Sequence, residues 1–202
     1  MRAVLRGEVE ADVPCDGCVG CCVSSYPIPL RPTDVVALAR VPDRYLQWPS
    51  ASGQSARMGF REDGTCPMLA ERQCTIYAGR PRTCRDYDCR IYAAAGVLPD
   101  GDRPVIQQRV IEWSFACEND EARASAAAVR AAAAFIRGHA ASFPPAMRAH
   151  SATAAAVLAI KVYPLFMEGG DSRPVAERVD AVVEAARSFD AAKERAPQGP
   201  SV

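Results

Sequence analysis

Lysine and histidine are almost missing from this chain: its 202 residues hold two lysines, Lys161 and Lys193, and two histidines, His139 and His150. Arginine carries nearly all the basic charge and the second half is crowded with alanine, a pairing that reads as coding bias rather than function. Net charge is missing as well. With 24 basic and 24 acidic residues no global field draws the chain to a polyanion, so neither nucleic acid nor an anionic membrane is expected as a partner. No stretch approaches the ~18 apolar residues of a membrane span, since Arg130 interrupts even the Ala-rich 124–136 segment. The segment Met1–Pro14 contains Arg2, Arg6, Glu8, Glu10 and Asp12, which is not the apolar stretch of a secretory signal. A cytoplasmic protein is expected. No nucleotide-binding or methyl-donor motif is visible.

Cysteine is abundant instead. Nine thiols in a reducing compartment do not read as a disulfide framework, and the odd count leaves one unpaired. Hydrophobic content of 49% in a chain of this length supports a real core without covalent staples. Metal chelation is the reading that remains. The run Cys15-Asp16-Gly17-Cys18-Val19-Gly20-Cys21-Cys22 sets three thiols at two-residue gaps with a fourth attached, and Gly17 and Gly20 let the backbone bend around them. Cys-x-x-Cys-x-x-Cys is also the ferredoxin spacing, in which the last ligand comes from elsewhere and precedes proline, as Cys66-Pro67 does here. Cys21 and Cys22, being adjacent, point apart and suit two neighbouring sites or one larger cluster better than a single ion.

Cys74, Cys84 and Cys89 follow Cys66 within a short span, and Cys117 stands later. Two four-coordinate sites would use eight thiolates and leave one spare. Cys89 has proximity to Cys84 in its favour; Cys117 lies beside Trp113 and Phe115, where a thiol is often plain core. Arg72, Arg80, Arg82, Arg85 and Arg90 are placed to offset the negative charge of gathered thiolates, with Arg80 and Arg85 the strongest candidates to donate to the ligands. Tyr77 and Tyr87 are read as covering the cluster from water or as ordinary core. His139 and His150 lie away from every cysteine motif.

A short helix is expected from Thr33-Asp34 to Arg40, a small hairpin over 55–70 around Asp63-Gly64, a helix from Thr83 to Ala95 closing at Gly96, and another from Pro104 to about Cys117. Helical composition then covers 120–140, 145–167 and 173–189. The fold class expected is mainly α, with a small cysteine-rich α+β metal-binding region of irregular loops and C-terminal helices. The organisation expected is a metal-binding region over 1–118, a helical extension over 119–190 and a disordered tail over 191–202.

These motifs resemble the YkgJ-like or CxxCxxCC family of zinc- or iron-chelating cysteine-cluster proteins. Cys15, Cys18, Cys21 and Cys22 match its opening, Cys66, Pro67 and Leu69 its middle, and Cys74, Ile76, Tyr77, Arg80, Pro81, Cys84, Arg85 and Tyr87 its close. A late cysteine ahead of an Ala-Arg pair, here Cys117 before Ala122-Arg123, is also a habit of the family. The resemblance implies metal chelation by Cys15, Cys18, Cys21, Cys22, Cys66, Cys74, Cys84 and either Cys89 or Cys117. It leaves the helical remainder unaccounted for and does not by itself make the chain an enzyme. Three functions are then expected in order: an iron–sulfur protein, 4Fe-4S in type, of electron-transfer or sensing work with a redox or protein partner; a zinc-stabilised binding module; and a metal-dependent enzyme acting on a protein or small molecule.

Overall fold

The computed structural model of the chain describes residues 1–6, 8–9, 13, 17–49, 55–101, 103–167 and 173–195. In chain order the elements are α1 (Arg2–Arg6), β1 (Ile28–Leu30), α2 (Val35–Arg40), β2 (Leu46–Gln47), β3 (Ala56–Met58), β4 (Leu69–Ala70) and β5 (Gln73–Cys74). They continue as α3 (Arg82–Asp86), α4 (Arg90–Ala95), α5 (Pro104–Glu112), α6 (Asp120–Gly138), α7 (Ala152–Val162) and α8 (Val175–Arg195). The protein is mainly α with a small α+β part, as its composition and spacing imply. The chain divides into two units: a thiol-rich unit of Glu10–Asp88 with Arg103–Arg109, and a helical unit of Met1–Val9, Cys89–Asp102 and Val110–Val202.

The thiol-rich unit is built on two very small sheets. β3 runs antiparallel between β1 and β2, with Met58 opposite both Ile28 and Leu46, while β4 pairs with β5 in a separate two-stranded sheet among the described residues. The hairpin expected over 55–70 is therefore not the one formed. Asp63-Gly64 does make a tight turn, with Asp63 Oδ1 accepting from the backbone N and hydroxyl of Thr65, but the strands on either side of it join different sheets. The inner face of β3 places Ala56 and Met58 in a core with Leu30, Ala37, Val41, Met68 and Ile76, against which Cys66 and Cys74 pack. Strands of two or three residues are marginal by themselves. Their stability has to come from that core and from the irregular segments bonded to it.

Gly64 is one such tie. Its φ of +81 lies where L-residues are strained, its carbonyl accepts from the backbone N and Oγ of Ser25, and an added Cβ would stand 2.5 Å from Ser25 Oγ. Gly64→Ala is expected to cost about 1–3 kcal/mol from backbone strain and the lost Ser25 contact. Urea melts check this, and an unchanged midpoint would refute it.

In the helical unit α6 packs on α7 and on the turn Tyr163–Phe166, α4 packs on both helices, and α8 and α1 close on α7. Alanine makes this possible: Ala152, Ala155, Ala156 and Ala159 of α7 and Ala128, Ala132 and Ala133 of α6 are all buried, so the backbones approach closely. Asn119 and Ser151 cap α6 and α7 through their side-chain oxygens, and Asp100 accepts from the Ala152 N–H. α8 runs on to Arg195; residues 196–202 of the expected tail lie outside the described residues.

Two expected helices are corrected. The span Thr83–Ala95 is α3 and α4 separated at Tyr87–Cys89, because Tyr87 turns extended (φ −73, ψ 116) and sets its ring 5.6 Å from that of Tyr26. Gly96 closes α4 in the left-handed conformation as expected. α5 begins at Pro104 as expected but stops at Glu112, before Cys117.

Candidate metal centre

Seven of the nine cysteines fall within the sequence span of the thiol-rich unit. Cys15 lies outside the described residues; the other six are Cys18, Cys21, Cys22, Cys66, Cys74 and Cys84, and all are free thiols. Four separate pieces of backbone present them. Cys21 and Cys22 ride on the single 3₁₀ turn Gly20–Val23, which is seated on α5 at Gly20, where a Cβ would stand 3.5 Å from Ile106 Cγ1 and 3.6 Å from the Cys18 sulfur. Cys66 opens the turn to Leu69, Cys74 ends β5, and Cys84 lies in α3.

The pieces are tied to one another through the backbone. The Cys66 N–H donates to the Cys22 carbonyl at 2.7 Å, which locks the first motif to the second. Arg61 holds the turn after Cys66, its Nη2 donating to the carbonyls of Pro67 and Leu69, both at 2.9 Å. Arg72 Nη2 reaches the Gly17 carbonyl at 3.3 Å. Asp34, 5% exposed, is the most instructive: Oδ2 accepts from the Arg31 N–H at 2.8 Å and Oδ1 from the Arg82 N–H at 2.7 Å. Pro81, at the start of α3, has no side-chain oxygen to cap it, so a carboxylate from 48 residues away caps the helix that carries Cys84. Thr83 Oγ1 adds a bond to the Pro29 carbonyl of β1 at 2.8 Å.

Five of these sulfurs act on one another's protons. Cys22 is hydrogen-bonded to Cys21 and to Cys66, and those bonds bring both neighbours down to about 7 while Cys22 itself is pushed up by them and by burial. The Arg61 guanidinium adds to the lowering at Cys66. Burial raises Cys74, and it pushes Cys84 up to about 12 with help from the charges of Cys21, Cys66 and Cys74. Arg80 works the other way on Cys74 and Cys84, and its guanidinium stacks 4.0 Å from the Tyr77 ring. Tyr77 remains 55% exposed. Arg85 Nε is buried without a hydrogen-bond partner among the described residues.

Cys89 and Cys117 belong to the helical unit. Cys89 Sγ accepts from the indole N–H of Trp113 at 3.2 Å, and Cys117 Sγ lies 3.9 Å from the Phe115 carbonyl. His139 packs against Phe135 in the same unit. Among the described residues no three His, Cys, Asp or Glu side chains stand in an arrangement that holds a metal ion as placed. The donor set nonetheless suits a thiophilic metal: thiols that share protons where their charges would repel are thiols a cation can bind by displacing those protons. Arg61 and Asp34 are the positioning residues that sequence reasoning passed over. The sequence signals of Arg61 were its place just before the Asp63-Gly64 turn and its closeness to Cys66; Asp34 carried none beyond its fitness as a local cap.

Comparison with protein-family models matches residues 14–113, about half of the chain, to the CxxCxxCC family, described as "Putative zinc- or iron-chelating domain". No curated protein and no solved structure matches the chain. The matched span takes in eight of the nine cysteines, Cys15 and Cys89 included, and stops short of Cys117. Through residues 14–113 the chain belongs to the CxxCxxCC family of zinc- or iron-chelating domains.

Proposed function

We propose that the thiol-rich unit holds an iron–sulfur centre through Cys15, Cys18, Cys21, Cys22, Cys66, Cys74 and Cys84, with an eighth thiolate from Cys89 or Cys117, and that it serves electron transfer or redox sensing. The observation that carries this reading is the gathering of free thiols in one small unit: Cys66 is bonded through its backbone N–H to the Cys22 carbonyl, Cys66 and Cys74 pack on the same core, and Cys21, Cys66, Cys74 and Cys84 lie within electrostatic reach of one another. More thiols gather here than the four that one tetrahedral zinc takes, and an all-sulfur donor set is what iron–sulfur clusters use. A bound cluster would supply one-electron chemistry. The chain's own part is to hold sulfur donors in place through the Cys66–Cys22 backbone bond, Arg61 and Asp34, and to offset thiolate charge with Arg80. Arg85, whose buried Nε has no hydrogen-bond partner among the described residues, is the residue proposed to donate to a ligand sulfur. A cytoplasmic, reducing location keeps such thiols competent.

A second reading, a zinc-stabilised binding module, draws on the small sheets. Strands of two and three residues gain most from a metal that staples their ends. Metal analysis, acid-labile sulfide and a visible spectrum on protein purified without oxygen separate the two. A brown protein with iron and sulfide supports the cluster, colourless protein with stoichiometric zinc establishes the module instead, and metal-free protein refutes both. Cys89→Ser and Cys117→Ser then assign the eighth ligand by which of them lowers the metal content.

A further inference from the structure

Outside the thiols, the thiol-rich unit presents a cleft of about 300 Å³ whose walls include Arg44, Tyr45, Gln47, Arg57 and Phe60. It forms because the outward side chains of two paired strands flank it. On β3 the residues on either side of Arg57 are buried while Arg57 points out, and its cross-strand partner on β2 is Gln47, also exposed. The Gly59 N–H bonds the Tyr45 carbonyl at 2.9 Å, which brings the chain after β3 back against the segment before β2. That bond places Phe60 and Tyr45 on the same opening, and Phe60 leaves 43% of its surface to solvent.

The arginines of this cleft carry no counter-charge of their own among the described residues. Arg6, Arg82, Arg123 and Lys161 each meet a carboxylate. Among the described residues the side chains of Arg44 and Arg57 have neither an ion pair nor a hydrogen bond; the Arg44 guanidinium stands instead 4.9 Å from the Tyr45 ring, beside the aromatic wall. Two guanidinium groups left without counter-charge, two aromatic rings and one primary amide therefore face a single opening. Guanidinium groups take phosphate or carboxylate oxygens in bidentate fashion. Tyr and Phe faces take planar rings, and an amide reads the donor and acceptor edge of a heterocycle. The volume sits at the lower end of the range for small-molecule sites, ~300–1,000 Å³, room for one ring and one anionic group.

We propose that this cleft binds a nucleoside monophosphate, with the phosphate on Arg44 and Arg57, the base against Tyr45 and Phe60, and Gln47 at the base edge. This site is separate from the thiols in its residues and in its chemistry, so it stands whichever metal the cysteines hold. The free nucleotide and the end of a single-stranded nucleic acid share this chemistry, and the two are told apart by chain length in the test.

The test is calorimetric titration of the full, metal-loaded chain at low salt with AMP, GMP, CMP and UMP, with inorganic phosphate, and with a short oligonucleotide. At least one nucleotide is expected to bind, and to bind at least tenfold tighter than phosphate. Arg57→Gln and Arg44→Gln are each expected to weaken it tenfold or more, and Phe60→Ala by severalfold; all three side chains are exposed, so these variants should keep their fold and metal content. A stronger fit to the oligonucleotide than to any mononucleotide assigns the cleft to single-strand ends. Phosphate binding as tightly as nucleotide, binding unaffected by both arginine substitutions, or no binding by any member of the panel overturns the proposal.

Discussion

Cys66→Ser is expected to lose most of the bound metal and, with it, the stability of the thiol-rich unit. Cys66 sits where the two motifs join: its N–H bonds the Cys22 carbonyl, the neighbouring Cys22 thiol lowers the pKa of its own, and its turn is gripped by Arg61. Serine keeps the backbone bond and nearly the same volume, so the packing of the turn against Met68 and Ile76 survives while the soft donor is lost. Without a metal role the substitution is a minor polar change, worth about 1 kcal/mol. With one, a structural metal contributes on the order of 10 kcal/mol to folding, and losing even half of that lowers Tm by roughly 10–20 °C in a chain of this size. Arg61→Leu should fall between, since removing a group that orients a ligand costs about 10–100-fold in metal affinity. Metal content by mass spectrometry of the native protein, read beside thermal melts, checks the series. Full metal retention in Cys66→Ser with a shift of only a degree or two would sink the metal reading for this turn.

Much of this was legible in the sequence, and the parts that were not share a cause. Cysteine spacing identified the thiols and the family because ligand identity is written in local runs such as Cys18-Val19-Gly20-Cys21-Cys22. Helix signals also act locally, and Asn119, Ser151, Pro104 and Gly96 all mark helix ends where their side chains or backbone freedom indicate. The sheet did not announce itself that way. β4 and β5 are joined by Glu71-Arg72, both at positive φ (48 and 58), in a two-residue turn whose usual residues are Asn and Gly. Nothing in Glu-Arg suggests such a turn. It forms because tertiary contacts, including the Arg72 bond to Gly17, hold it there at a cost of about 1–2 kcal/mol per strained residue. The break at Tyr87 inside an otherwise helical run has the same origin, since the Tyr26 ring that it meets is distant in sequence. The division that sets Cys89 and Cys117 in the helical unit likewise depends on contacts that no spacing encodes.

Asp34 shows how far such a contact reaches, and Asp34→Ala is expected to destabilise the protein by about 2–4 kcal/mol, the cost of two part-buried N–H groups left without their acceptor. The sequence places Asp34 at the start of α2, and it does occupy the N-cap position there, yet its carboxylate makes no cap bond to α2. Its two oxygens bond the Arg31 and Arg82 N–H groups instead. Alanine removes a carboxylate that is itself only 5% exposed and takes the acceptor from both donors, and Pro81 offers α3 no substitute. Tm should fall by roughly 5–15 °C. Asparagine keeps one oxygen and turns an NH₂ group toward the other donor, so Asp34→Asn should recover less than half of the loss. The effect also reaches the thiols: α3 carries Cys84, and a helix whose first turn is uncapped frays at the end that is held against β1 by Thr83. Metal affinity should therefore drop along with stability in Asp34→Ala, whereas Gly64→Ala, whose contact is to Ser25, should lower stability with a smaller effect on metal. Thermal melts of the apo and metal-loaded forms separate the two effects. An Asp34→Ala protein melting within a degree of the parent in both forms would show that α3 is held by something other than this carboxylate.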